Sequence, residues 1–257
     1  MDQKGSPLGS PGQAQQTARA VQTMFARVAP RYDLLNHLLS ARLDVHWRRA
    51  TARQLRPVLE RPGSVAADLC CGTGDLTFAL ARWSAGRVLG ADFCHPMLTI
   101  AGAKRAPERP LHGVRAEFVG ADTLNLPLPD TSLDLVSAAF GFRNLADYDR
   151  GLSEMWRVLK PGGVVAILEF SRMQWPLAGP VFRFYFRRVL PLVGTLISRV
   201  PGAYQYLPES VKRFPDQDSL TRSLRAAGFT NVRYRNFMGG VAALHLGEKP
   251  AAGTRTP

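Results

Sequence analysis

The sequence predicts an α/β domain, a mostly parallel sheet flanked by helices and preceded by a helical extension. Three observations predict it. Short apolar runs alternate with segments of helical length between residues 65 and 170. The first apolar run ends in a glycine-rich turn that opens a helix. The 257 residues, 46% of them hydrophobic, supply enough apolar surface for one such domain with a sizeable core. Strands separated by helices imply parallel pairing through right-handed crossovers.

Each element follows in order. Residues 1–16 are poor in apolar side chains and rich in Gly, Pro, Gln and Ser, and read as a disordered tail. Residues 17–249 read as one domain, of which 17–60 form a helical cap. There Val21, Met24, Phe25 and Val28 recur at helical spacing. Pro30 interrupts the pattern, a second helix carries Leu34, Leu38 and Leu39, and a third carries Trp47 towards Leu59. Strands are expected at Val65–Leu69, Arg87–Ala91, Ala116–Val119, Leu133–Ala138 and Val164–Phe170. Helices are expected at Leu76–Trp83, Pro96–Arg105 and Asp147–Leu159, with a tight turn at Pro161-Gly162-Gly163. Residues 175–210 break the rhythm with aromatics, Arg and Pro. A helix at Asp218–Ala227, stopped by Gly228, and strands at Val232–Phe237 and Val241–Leu246 complete the domain, before a loose tail at 250–257.

Composition excludes several classes. Cys70, Cys71 and Cys94 are an odd set, two of them adjacent, so no disulfide framework is expected. No Cys/His set has zinc-ligand spacing, so no metal is expected. No apolar run is long enough to span a bilayer, and the N-terminus lacks a signal-peptide layout. A cytoplasmic location follows as the default. The net charge of +13 favours anionic partners, whether nucleic acid, anionic lipid or acidic substrates, without choosing among them, and a simply basic, Arg-rich composition is the bland alternative.

The chemistry concentrates at Asp68-Leu69-Cys70-Cys71-Gly72-Thr73-Gly74-Asp75. Gly72 and Gly74 allow positive φ and close approach of backbone to a ligand. The helix that follows points its first amides at the same place. Asp92 ends the next strand, where an acid of a Rossmann-like unit accepts hydrogen bonds from ribose hydroxyls. The third glycine of a dinucleotide fingerprint is absent, and no Lys-Ser or Lys-Thr completes a P-loop. Asp75 would also repel a pyrophosphate. A cationic nucleoside without phosphate, S-adenosyl-L-methionine, suits the turn better. The bland alternative is an ordinary βα corner, against which stand Asp68, Asp92 and the order of elements.

The turn resembles the first motif of class I methyltransferases. Further segments resemble the ubiquinone/menaquinone-biosynthesis C-methyltransferase family: Tyr32-Asp33-Leu34-Leu35-Asn36 with Ser40 and Trp47, Phe140-Gly141-Phe142-Arg143-Asn144, and Arg157-Val158-Leu159-Lys160-Pro161-Gly162-Gly163 with Glu169-Phe170-Ser171. Pro215-Asp216-Gln217 and Gly239-Gly240-Val241-Ala242-Ala243-Leu244-His245 add to the resemblance, which covers about residues 20–249. Arg42 and Asp44 stand where family members commonly carry Gly and His, Leu35 where Met is usual, and Ala139 where a Ser is sometimes found.

The resemblance implies a Rossmann-like class I methyltransferase fold and C-methylation of a polyprenylated quinol. Demethylmenaquinol is the first candidate acceptor and 2-polyprenyl-6-methoxy-1,4-benzoquinol the alternative. It implies cofactor contacts at Thr73, Asp92, Asp122 and Thr123, beside Asp68, Gly72 and Gly74 of the turn. A quinol hydroxyl must lose its proton to make the ring carbon nucleophilic, and a phenol ionises near pH 10. A base or a nearby cation is therefore needed. Arg143 and Asn144, after the fourth strand, are the first candidates; an Arg143–Asp147 ion pair is the structural alternative. Tyr32 and Asp33 are the second candidates, with core packing and helix capping as their alternatives. Glu169 is a buried structural acid or a base. His46 could stand in for the missing family His, although a surface or packing role suits it better, and His245 is expected away from the site.

Residues 176–200 alternate aromatics with Arg183, Arg187 and Arg188, which suits a helix lying in a membrane interface or packed over the sheet. Peripheral contact with the inner face of the membrane and a homodimer complete the expectations. Methylation of nucleic acid or of a phospholipid headgroup is the competing enzyme class. The aromatic motif of amino-methylating DNA enzymes and the Pro-Cys of C5-cytosine enzymes are both missing, so no nucleic-acid partner is expected. A binding module without catalysis is the non-enzyme alternative, and the intact Gly-Thr-Gly turn with Asp92 speaks against it.

Overall fold

A computed structural model describes residues 21–104, 110–174 and 203–251. The tail 1–16, residues 252–257 of the C-terminal tail and the amphipathic segment 176–200 lie outside the described residues.

Seven strands form one sheet: β1 (Val65–Leu69), β2 (Arg87–Asp92), β3 (Ala116–Gly120), β4 (Leu133–Ala139), β5 (Leu159–Phe170), β6 (Thr230–Phe237) and β7 (Ala242–Glu248). Their order is β3-β2-β1-β4-β5-β7-β6. The first five pair in parallel, while β7 runs antiparallel to β5 and to β6. The fold is therefore the predicted one, with the late strands as the antiparallel exception.

Alternation along each central strand explains why both faces need cover. Ala67, Leu69, Val136, Val165 and Ile167 pack on one side, and Ala66, Leu135, Ala166 and Leu168 on the other. All are buried, as parallel strands with helices on both faces must be. The first side is covered by α7 (Tyr148–Val158) and α9 (Gln217–Ala226). Asp147 and Asp216 cap these helices by accepting from Arg150 N and Ser219 N. The second side is covered by α3 (Leu43–Gln54), α4 (Arg56–Leu59) and α5 (Asp75–Ala81). A further helix, α6 (His95–Ala103), links β2 to the third strand.

The helical cap begins with α1 over residues 21–28 and α2 (Tyr32–Leu39), joined by a 3-10 turn at Ala29–Arg31 that contains Pro30. Gln22 Nε2 donates to Phe93 O at 2.7 Å, which docks α1 onto the loop after β2. Trp47 of α3 packs its ring 6.1–6.4 Å from Phe140, Phe170 and Phe237, fixing α3 beside the ends of β4 and β5.

Two expectations change. Pro161-Gly162-Gly163 is not a turn between helix and strand; it sits inside β5, where the pairing with β4 shifts register and Gly162 takes φ +79°. Within the segment read as irregular, Ala203–Arg213 forms a helix, α8, with Pro208 inside it. Gly228 does stop α9, at φ +97°.

Candidate functional site

Strand order reverses direction between β1 and β4, and open α/β sheets bind ligands at the carboxyl ends of such a pair. A cavity opens there. It is lined by the Gly-rich turn, by the segments after β2, β3 and β4, and by Phe25, Tyr32 and Arg48 of the cap. Its open space is about 1050 Å³, which includes solvent at the mouth.

The two strand ends are locally strained. Cys70 and Phe140 take φ +52° and +58°, a region non-glycine residues rarely occupy. The two turns also touch: a Cβ on Gly141 would lie 2.4 Å from Cys70 Cβ. Only glycine at 141 lets them approach so closely.

The Gly-rich turn is organised around Asp92. Gly72 N and Cys94 N each donate to its carboxylate at 2.8 Å. The buried Asp68 accepts from Thr77 Oγ1 at 2.8 Å and Ser137 Oγ at 2.9 Å, and burial pushes its pKa up to about 7 against those two hydrogen bonds. Cys70 Sγ lies 3.4 Å from Thr123 Oγ1. Asp122 is exposed at the cavity rim and accepts from Leu124 N at 2.9 Å. Burial raises the Cys70 and Cys71 thiols well above their usual range, which keeps both protonated.

Of the sequence-predicted site residues, Asp68, Gly72, Thr73, Asp92, Asp122, Thr123, Tyr32 and Asn144 line this cavity. Gly74 caps α5 at φ +83°. Asp33 is drawn into structure: Thr73 Oγ1 donates to it at 2.5 Å and Lys104 Nζ at 2.8 Å. It ties the cap to the turn rather than standing free to take a proton. Arg143 is corrected further. It does not pair with Asp147, and it is not among the cavity-lining residues. It is buried behind the β4 turn, with Nη1 2.9 Å from Glu169 Oε1 and also donating to Phe140 O, and Nε 3.3 Å from Ser210 Oγ. Arg143 is buried, with its guanidinium carbon 5.5 Å from the centre of the Phe170 ring, so the cation is compensated by the buried acid beside it. Glu169 is thereby the structural acid of its two alternatives. Asn144 Oδ1 accepts from Tyr206 OH at 3.1 Å. Burial raises the Tyr32 phenol above its usual value, with Arg143 and Arg48 opposing.

Asp75 is not an uncompensated negative charge. Lys104 Nζ bonds it, and Arg48 Nη1 lies 3.7 Å away. His37, Asp44 and Asp75 bring ligand-type atoms within 4.8 Å of one another. Arg48 already supplies the cation among them, at 2.5 Å from Asp44 Oδ2. His46 is exposed, and His245 is buried in β7 against Gln217 O at 2.9 Å, away from the cavity. Sequence reasoning missed Arg48, Lys104 and Gly141. Asp44 and Arg48 stand four apart on a helix, the spacing of a side-chain ion pair, and that signal was available.

Comparison with known proteins agrees with this geometry. The ubiE/COQ5 methyltransferase family matches residues 13–249. A demethylmenaquinone methyltransferase from Thermus thermophilus is 49% identical, over 88% of this chain and 100% of that protein. One from Deinococcus radiodurans is 45% identical, over 93% and 96%. Among solved structures, a SAM-dependent methyltransferase from Thermotoga maritima has a TM-score of 0.59 at 18% identity, covering 89% of this chain and 99% of that one. Phosphoethanolamine N-methyltransferase 2 from Haemonchus contortus, solved with S-adenosyl-L-methionine, has a TM-score of 0.53 at 15% identity, over 77% and 52%. These structural likenesses speak to fold.

Proposed function

The chain belongs to the ubiE/COQ5 methyltransferase family and is an S-adenosyl-L-methionine-dependent methyltransferase; we propose that its acceptor is a ring carbon of a polyprenylated demethylmenaquinol, which it converts to menaquinol. The observation that carries the acceptor is the name shared by relatives 38–49% identical over most of the chain.

The residues present fit the cofactor. Asp92 uses its two oxygens on backbone amides and lies on the cavity wall, where its remaining lone pairs can accept ribose hydroxyls. Asp75 on the wall is already paired with Lys104 and Arg48, so it is Asp92 and Asp122 that favour a ligand with a sulfonium and an ammonium over one with phosphates. Asp122 and the Thr123 amide would receive the adenine, and Gly72 and Thr73 the edge of the turn. When bound there, S-adenosyl-L-methionine would supply an electrophilic methyl group.

The protein's part is then mainly positioning, which can account for several kcal/mol of barrier lowering. Asn144 has its Oδ1 engaged by Tyr206, which leaves its amide N–H groups for a quinol oxygen. Tyr32, held neutral by burial, can donate a hydrogen bond to the quinol oxygen as its proton passes to solvent water at the cavity mouth. Arg143 acts through the backbone: it clamps Phe140 O and Glu169 and so fixes the turn that carries Asn144. Asp33 acts by closing the cap over Thr73.

The polyprenyl tail calls for a lipid-facing entrance, and we include peripheral membrane contact in the proposal. Leu34 and Leu38, one turn apart on α2, are 62% and 54% exposed. No helix among the described residues is long and apolar enough to cross a membrane.

The test is a competition. The protein is incubated with methyl-labelled S-adenosyl-L-methionine and equal amounts of short-tailed demethylmenaquinol, the methoxybenzoquinol, tRNA and phospholipid vesicles. Label is expected in the naphthoquinol. Label chiefly in the benzoquinol, RNA or lipid would replace this acceptor.

A further inference from the structure

Among the described residues lining the cavity, one side chain is basic: Arg48, facing Asp68, Asp75, Asp92 and Asp122. S-adenosyl-L-methionine itself carries one anionic group, the carboxylate of its methionine moiety. We propose that Arg48 holds that carboxylate, anchoring the amino-acid end of the cofactor to the cap.

Placement comes first. The ribose acceptor Asp92 reaches the Gly-rich turn through Gly72 N. Arg48 reaches the other end of the same turn, with Nη1 3.7 Å from Oδ2 of Asp75, the first residue of α5. A nucleoside with its ribose at Asp92 lays its methionine across the turn towards Asp75 and Arg48.

Preorganisation comes second. Arg48 is 7% exposed, and its guanidinium carbon lies 5.0 Å from the centre of the Phe140 ring. Asp44 grips Nη1 at 2.5 Å, and Asp44 is itself held by Ser40 Oγ at 2.6 Å and His37 Nδ1 at 3.0 Å. Both acids engage the same nitrogen. A guanidinium carries five N–H donors in a planar fork that matches a carboxylate, so the two ion pairs do not exhaust it. In a buried setting such a charge-assisted pair is stronger than in water. The charged or titratable groups around Arg48 are Asp44 on α3, Asp75 on α5, Tyr32 and His37 on α2, and Asp68 on β1.

The inference rests on S-adenosyl-L-methionine as cofactor, and binding separates it from the acceptor assignment. Calorimetry compares S-adenosylhomocysteine with its decarboxylated analogue, S-adenosyl-3-thiopropylamine, in the wild type, Arg48→Gln and Arg48→Lys. Decarboxylation makes the ligand more cationic, which Asp92 and Asp122 alone would favour. A preference for the carboxylate form is therefore the signature of a dedicated cation. The wild type is expected to prefer S-adenosylhomocysteine by on the order of tenfold or more. Arg48→Gln should abolish that preference while holding the analogue's affinity within about twofold, and Arg48→Lys should restore part of it. Equal wild-type affinities overturn the proposal, a result that needs no variant to fold. So does an equal loss for both ligands in Arg48→Gln. Unchanged affinities with lost turnover would also overturn it and move Arg48 to the acceptor's ionised hydroxyl. If the wild type binds neither ligand, the cofactor assignment fails and this contact with it.

Discussion

Asp68 is a buried carboxyl on the cavity wall with its pKa pushed up to about 7. In the unfolded chain an Asp ionises near pH 3.9. Between those values the native state keeps a proton that the unfolded state has released, so this group's contribution to stability falls as pH rises from about 4 to about 7 and is level above. Denaturant melts across that range should show the fall, and Asp68→Asn should flatten it. A cationic ligand favours the ionised form, so cofactor affinity should increase several-fold from about pH 6 to about pH 8, with proton release visible by calorimetry in buffers of different ionisation enthalpy. A pH-independent affinity would take Asp68 out of the cofactor's field. At Arg42 the backbone adopts φ +61°, ahead of α3. A side chain there is disfavoured by about 1 kcal/mol, against a smaller entropic cost for glycine. Arg42→Gly should therefore stabilise the protein by about 0.5 kcal/mol, read as a higher denaturant midpoint at unchanged slope. The Gly that the resembled family carries at this position has its reason in that dihedral.

At the scale of elements, the cap and the Gly-rich turn are one unit. Asp33 on α2 accepts from Thr73 of the turn and from Lys104 after α6, and Lys104 also meets Asp75 of α5. Asp33→Ala removes the shared acceptor. It should speed amide exchange across α1 and α2 while leaving β1, β4 and β5 protected, because the sheet core does not depend on that contact. Uniform exchange in the variant and wild type would show that the cap is held by packing alone. Much of this was legible in sequence. The alternation of apolar runs gave every parallel strand, since buried strands and amphipathic helices leave unmistakable periods. The Lys160–Gly163 bulge and α8 were not legible. A Pro-Gly-Gly run reads as a turn whether it ends a strand or interrupts one, and Pro208 reads as a helix breaker although it sits within α8.

For the whole molecule, the sheet supplies the place and the surrounding segments supply the chemistry. Ligand binding to the native state alone raises stability by about 2.7 kcal/mol at a hundredfold excess over Kd. For a chain of this length that corresponds to a melting temperature higher by about 5–10 °C. S-adenosyl-L-methionine should produce this shift in the wild type, and Asp92→Ala should lose most of it. The cavity-lining residues Asp68, Gly72, Thr73, Asp92, Asp122 and Thr123 could be named from sequence because they sit on a contiguous turn and on strand ends. Glu169 as the partner of Arg143 and Asp75 as a partner of Arg48 could not, because Glu169 follows Arg143 by a whole helix and strand, and Asp75 meets Arg48 only when α3 packs on α5. Charge pairing across such separations is decided by burial, and burial is a property of the finished fold.

The proposed reaction transfers a methyl group from S-adenosyl-L-methionine to a naphthoquinol ring carbon. The most direct measurement is mass spectrometry of the quinone after the purified protein has been incubated with trideuteromethyl S-adenosyl-L-methionine and reduced demethylmenaquinone. The predicted result is one trideuteromethyl group on the ring per S-adenosylhomocysteine formed, and none with Asp92→Ala. Cofactor bound and turned over with no label on the ring would contradict it.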